Sequence, residues 1–184
     1  MAHLARVVSV VERLARTEGA ALDIVMPAAW LHDCVHVPIT SPERPRASVM
    51  AGDMATEFLA RIGYPDELLP AVHHAIAAHS FSARIVPNTV EARVVQDADR
   101  LDALGAIGIA RCLMLGGQLG RSLYDADDPF AERRVPSDRV SSIDHFYTKL
   151  LTLASTMQTA AGRAEADWRT TFMRAYLEQL RREL

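Results

Sequence analysis

Ala28-Ala29-Trp30-Leu31-His32-Asp33-Cys34 sets an imidazole beside a carboxylate at the end of an otherwise apolar run. Adjacent positions on a helix point roughly 100° apart, so only one of the two side chains can face straight into a core. The pair acquires chemistry only if further ligands converge on it. Three places offer them: His3 in His3-Leu4-Ala5-Arg6-Val7, Asp99 in Gln96-Asp97-Ala98-Asp99-Arg100-Leu101-Asp102-Ala103, and His73, His74 and His79 in between. Imidazoles and carboxylates together suit a borderline or hard divalent ion: manganese, iron, cobalt, nickel, zinc or magnesium. Cys34 and Cys112 stand alone, without Cys-x-x-Cys spacing, so neither a thiolate site nor a disulfide framework is indicated.

Composition bounds the rest. A chain of 184 residues fits one domain with one substantial core. Aromatics make up only 6% while alanine and leucine abound, which favours closely packed helices over a β-sandwich. A net charge of −3 gives no field that would draw the chain to a nucleic-acid polymer or an anionic membrane. A small anionic ligand would need local positive charge instead, and 19 of the 20 basic residues are arginine, Lys149 being the exception. No signal sequence opens the chain and no apolar run approaches the roughly 20 residues of a membrane span. A cytoplasmic location is expected.

Along the chain, residues 3–17 place Leu4, Val7, Val8, Val11, Leu14 and Ala15 at i, i+3, i+4 spacing, which predicts an amphipathic helix ended by Gly19. His3 and Arg6 share a face at its start. A second helix is predicted from about Met26 or Pro27, with proline in its first turn, to His32 and Asp33. Pro38, Pro42 and Pro45 forbid helix over 36–46, so a loop suited to a substrate lid follows the ligands directly. His36 lies one turn past His32. Ser48 to Ile62 predicts a third helix stopped by Gly63, and Leu68 to about His79 a fourth. On an unbroken helix His79 lies roughly 140° from His74 and 240° from His73; a break before Ser80 lifts that limit. Phe81 to Thr89 is a predicted loop.

The next predicted helix, Val90 to about Leu115, carries Asp97, Asp99 and Asp102. Asp99 and Asp102 share a face, and Asp97 lies about 200° from Asp99. Acids this dense repel if buried together without a cation. Gly116-Gly117-Gln118-Leu119-Gly120 lacks the GxxxxGK[ST] pattern and a preceding strand, which excludes a nucleotide P-loop. Residues 121–141 form a polar connection in which Arg133 and Arg134 read as a solvated pair. Helices of about 142–160 and 163–182 close the chain. The second, with Trp168, Phe172, Met173, Tyr176, Leu177 and Leu180, has enough apolar surface to be core or the face of a homodimer.

The ordered set His3, His32-Asp33, Asp99 resembles the H…HD…D signature of the HD-domain superfamily of metal-dependent phosphohydrolases. Within it the chain is similar to the bacterial predicted-phosphohydrolase branch. His79-Ser80-Phe81-Ser82, Asp97-Ala98-Asp99-Arg100-Leu101-Asp102-Ala103-Leu104-Gly105-Ala106, Asp144-His145-Phe146-Tyr147-Thr148-Lys149-Leu150 and Arg169-Thr170-Thr171-Phe172-Met173 carry that likeness. It spans nearly the whole chain. His3 stands closer to the start than the first ligand histidine of such relatives, and chain ends fray unless packed.

The resemblance implies an all-α, single-domain HD-type helical bundle over residues 1–184, with a ligand-bearing part of about 1–115 and C-terminal helices of about 142–184 packing on it. It implies a divalent ion (Mn, Co, Ni, Mg, Fe or Zn) held by His3, His32, Asp33 and Asp99, bringing a bound water's pKa from about 15.7 toward ~7. Asp33 would touch both ion and attacking water. His36, His74 or His79 would protonate the leaving oxygen or fix a phosphate, with Arg6, Arg100 and Asp102 around the substrate. That substrate would be a small phosphorylated metabolite, a nucleotide being the leading candidate. Two rival readings are an HD-fold di-iron oxygenase or lyase, which needs two ions and more histidine ligands, and a non-catalytic nucleotide-binding sensor.

Overall fold

A computed structural model of the chain describes residues 2–38 and 41–184. The fold is all-α, as expected: among the described residues there are eight α-helices joined by short 3-10 turns, and the one β feature is an isolated bridge between Ser122 and Ser141. No helix among them is long and apolar enough to cross a membrane. The residues group into two compact units, one running to Asp99 and adding Gln158–Gly162, the other comprising Arg100–Met157 and Arg163–Leu184.

The first unit holds α1 (Ala2–Glu18), α2 (Leu22–Leu31), α3 (Ala47–Arg61), α4 (Leu69–Ala77) and most of α5 (Val90–Leu101). Val7, Val11 and Leu14 of α1 recur at i, i+4, i+7 and are buried to 1% exposure or less. They define the inward stripe that the spacing predicts. Alanines fill much of the facing core: Ala28 and Ala29 of α2, Ala51 and Ala55 of α3, Ala75 and Ala77 of α4. Small side chains let α3 pack on α4 and α2 pack on both α1 and α4. α3 stops where Gly63 takes φ +79, its amide bonded to Ala60 O and the Tyr64 amide to Leu59 O. This Schellman closure needs a left-handed residue, which glycine adopts without a Cβ clash.

Four boundaries differ from the sequence expectation, each for a physical reason. α2 begins at Leu22, so Pro27 lies inside it, not in its first turn. Proline's missing N–H frees the carbonyl four residues back, that of Asp23, and the Tyr64 hydroxyl donates to that oxygen at 2.5 Å. α4 ends at Ala77, two residues before His79. The expected helix from Val90 to about Leu115 is two helices, α5 and α6 (Gly105–Gln118), because Leu104 is extended and Gly105 has φ +72. Asp102 therefore sits in a turn and does not share a helix face with Asp99. The expected helix of about 142–160 is a short α7 (Asp144–Thr148) and a 3-10 stretch, Leu150–Thr156. There the hydroxyls of Thr152, Ser155 and Thr156 each donate to a carbonyl three residues back, in competition with helical bonding. Of the expected loop at 36–46, residues 39 and 40 lie outside the described residues.

The second unit holds α6, α7 and most of α8 (Ala160–Glu183) around Leu104, Ile143, Phe146, Leu150 and Met173. Phe146 stacks on Tyr176 with centroids 6.1 Å apart. Gly108 lies so close to the preceding turn that a Cβ there would meet Ala103 O at 2.2 Å. Arg134 is not solvated as expected: both its Nη atoms bond the carboxylate of Asp144, which is fully buried and also accepts from the Ser137 amide and the Ser141 hydroxyl. On α8, Met173 and Leu177 face inward, while Trp168 and Phe172 are exposed.

Candidate metal centre

Five side chains of the first unit meet at the ends of its helices. His3 comes from the first turn of α1, and helix begins at Ala2, so the residue is held by the element that follows it. His32 and Asp33 follow the last residue of α2, Asp99 stands in the last turn of α5, and His79 lies two residues beyond α4. The His32 side chain is fully buried, those of His3 and Asp99 are 25% and 30% exposed, and that of Asp33 is 57% exposed.

Two of the histidines are fixed the same way. His32 Nδ1 lies 2.8 Å from Ala29 O and His79 Nδ1 2.6 Å from Ile76 O, in each case the carbonyl three residues back. A carbonyl only accepts, so each Nδ1 carries a proton, and in the neutral form of either ring the lone pair falls on Nε2, on the side of the centre. Burial holds the His79 imidazole below the ordinary histidine range, outweighing the opposing pull of Asp99 and Asp33.

Those lone pairs face carboxylates. Asp33 Oδ2 lies 3.7 Å from both His3 Nε2 and His32 Nε2; Asp99 Oδ1 lies 3.5 Å from His3 Nε2 and 3.8 Å from His32 Nε2; Asp33 Oδ1 lies 3.9 Å from His79 Nε2. His32 Nε2 is buried with no hydrogen-bond partner among the described residues. In the neutral ring it is a buried acceptor opposite acceptors, which is costly unless a cation joins them, and the nitrogen–oxygen donor set suits a divalent ion of the first transition row or magnesium. The ligand atoms of His3, His32 and Asp99 lie within 4.8 Å of one another, as do those of His32, Asp33 and His79. Both groups use His32, which turns one ring nitrogen inward, so the two overlap at that residue.

The other residues singled out in the sequence are not among these five. His36 is exposed at the start of the loop after Asp33, and Arg6 is half-buried one turn on from His3. His74 Nε2 accepts the Asn88 amide at 3.3 Å and is not in the cluster. His73 Nε2 is 2.9 Å from Asp53 Oδ1, beside a depression of about 510 Å³ that none of the five cluster residues lines. In the second unit, Arg100 donates to Thr156 O at 2.6 Å and Asp102 is bound by Arg111. Asp97, fully buried, accepts from the amides of Gln158 and Thr159 and from the Thr159 hydroxyl, and so caps the start of α8.

Helix geometry alone leaves His79 without a shared face, and it enters the cluster because α4 ends early. The signal was there in outline: Ala78-His79-Ser80 precedes an irregular segment, and an imidazole at a helix end can bond the last carbonyls.

Comparison with known proteins gives the family. A family model described as the HD domain matches residues 1–104, a stretch that contains all five cluster residues. Bacillus subtilis YpgQ is 35% identical over 186 residues, covering 99% of this chain and 82% of YpgQ. Its crystal structure in complex with ADP superposes with a TM-score of 0.75 over 99% of this chain and 85% of that one. An HD-superfamily hydrolase from Bacillus thuringiensis, also 35% identical, superposes with a TM-score of 0.77 over 98% of this chain and 84% of its own. Lin1889 of Listeria innocua is 27% identical, with a TM-score of 0.75 over 99% of this chain and 86% of its own. With a family model spanning more than half of the chain and relatives this similar along almost all of it, the chain belongs to the HD-domain superfamily.

Proposed function

We propose that the chain is a metal-dependent phosphohydrolase that cleaves a phosphoester of a small phosphorylated metabolite, a nucleotide being the leading candidate. One observation carries the reading: the buried Nε2 of His32, without a hydrogen-bond partner and aimed at the carboxylates of Asp33 and Asp99. In this reading His3, His32, Asp33 and Asp99 hold a divalent ion. Such an ion acidifies a bound water and neutralises phosphoryl charge.

The chain's own residues do the rest. Asp33 turns Oδ2 toward His3 and His32 and Oδ1 toward His79, and it is the most exposed of the cluster. That position suits it to orient the attacking water and take its proton as the new P–O bond forms. The bond from phosphorus to the leaving oxygen then breaks. A proton for that oxygen comes from His36, which is exposed four residues past His32. His79, buried and with its Nδ1–H engaged by Ile76 O, is suited to bind an ion through Nε2 and not to give up a proton. An HD-superfamily hydrolase and an ADP-bound protein among the relatives support hydrolysis and a nucleotide ligand, and the bacterial sources of these relatives support a cytoplasmic place.

The test is a screen of phosphorylated metabolites with manganese, cobalt, nickel and magnesium in turn, comparing wild type with Asp33→Ala. The expected result is phosphate or pyrophosphate release that the substitution abolishes while the circular dichroism spectrum is unchanged. Equal turnover by both proteins would refute the assignment.

A further inference from the structure

Phe81 stands two residues past His79, so its Cα lies at most about 7 Å from that of the histidine. It is 72% exposed. An aromatic ring left in water contributes little to the fold. The turn that carries it is nevertheless well defined: Phe81–Ala83 is a single 3-10 turn, the Ser80 and Ser82 hydroxyls bond at 2.9 Å, and Arg84 closes it at φ 56. That left-handed conformation is sparsely populated by residues other than glycine, and such strain gathers at ligand clamps.

The 3-10 turn Arg44–Arg46 packs against Phe81–Ala83. Arg44 is anchored to Val37 O at 2.9 Å and Arg46 to Glu43 at 3.0 Å, while both remain exposed, as does Arg84. In a chain of net charge −3 this gathers cations and one exposed ring on two packed turns, one of which starts two residues past His79. Trp30, the other exposed aromatic near a ligand, precedes His32 by two positions and so lies roughly 200° around the helix from it.

We propose that Phe81 is the platform on which the base of a nucleotide substrate stacks, while the arginines of the two turns draw its phosphates toward the metal centre. This rests on the phosphohydrolase reading above and narrows its substrate to nucleotides. A phenyl ring presents a face and no hydrogen-bonding edge, so it accepts bases as a class without choosing among them.

The experiment is calorimetric titration of the full chain, with manganese in excess, using ADP and inorganic pyrophosphate as probes. Phe81→Ala is expected to weaken ADP binding by roughly tenfold, leave pyrophosphate binding as in wild type, and be rescued for ADP by Phe81→Trp. The unchanged pyrophosphate arm also shows that the variant is folded. ADP binding unaltered in Phe81→Ala, or ADP and pyrophosphate weakened alike, overturns the platform alone. Wild type binding neither probe overturns the platform and the phosphohydrolase reading together.

Discussion

His32 donates a hydrogen bond from Nδ1 to the carbonyl of Ala29, 2.8 Å away, and its other ring nitrogen is buried at the centre of the cluster without a hydrogen-bond partner. His79 repeats the arrangement with Ile76. Two imidazoles oriented by the backbone with Nε2 inward are ligands prepared in advance, since neither ring must rotate to receive a cation.

His32→Ala should therefore remove most of the affinity for manganese, and His79→Gln should reduce it by about 10–100-fold. Titration calorimetry measures both. Affinity unchanged in His79→Gln would exclude that ring from the ion's surroundings.

Tyr64 and Pro27 should be coupled. Tyr64→Phe is expected to lower stability by about 1 kcal/mol, because it leaves the Asp23 carbonyl without the hydroxyl that Pro27 makes necessary. In a Pro27→Ala background the residue at 27 regains an N–H for that carbonyl, and the effect of Tyr64→Phe should shrink. Urea denaturation of the four proteins of the cycle tests this; additive effects would contradict it.

Asp97→Ala should cost about 1–3 kcal/mol, because buried amides at Gln158 and Thr159 lose their acceptor. Gly162 packs against the same carboxylate, with room for no Cβ: one there would meet Asp97 Oδ2 at 2.4 Å. Gly162→Ala should destabilise as well, and the two substitutions together should cost less than their sum, since both disrupt one cap.

Asp144 sets a pH dependence in the second unit. Burial pushes its carboxyl up, but Arg134, the Ser137 amide and the Ser141 hydroxyl together outweigh burial and hold it below the ordinary 3.8. With the folded pKa below the unfolded one, this pairing contributes stability that is whole above about pH 3.8 and is lost as pH falls through the folded value. Asp144→Asn should lower the melting temperature at pH 7 by several degrees and narrow the gap from wild type as the pH drops below 4. A gap that stays constant with pH would contradict this assignment.

The sequence was most legible where one kind of periodicity ran without interruption. Val7, Val11 and Leu14 announced α1, Gly63 announced the end of α3, and a composition rich in alanine and leucine favoured helices, with the all-α bundle implied by resemblance. It was least legible where a distant group decided the outcome. Nothing near Pro27 says that Tyr64 will accommodate a proline within α2, and the hydroxyls of Thr152, Ser155 and Thr156 compete with helical bonding where an apolar pattern read as continuous helix. In the cluster, the spacing of His3, His32-Asp33 and Asp99 was visible through resemblance, whereas the approach of His79 depended on α4 ending two residues early. Asp102 looked like a neighbour of Asp99 only on an unbroken helix, and Gly105 breaks it.

The central claim is that one cation joins side chains drawn from α1, the end of α2 and the end of α5. An anomalous difference map from a manganese-soaked crystal, recorded near the manganese edge, tests it most directly. The expected result is a single strong peak within about 2.0–2.3 Å of His32 Nε2 and of oxygens from both Asp33 and Asp99. A map with no peak there, and His3 or Asp99 turned away from His32, would contradict the account.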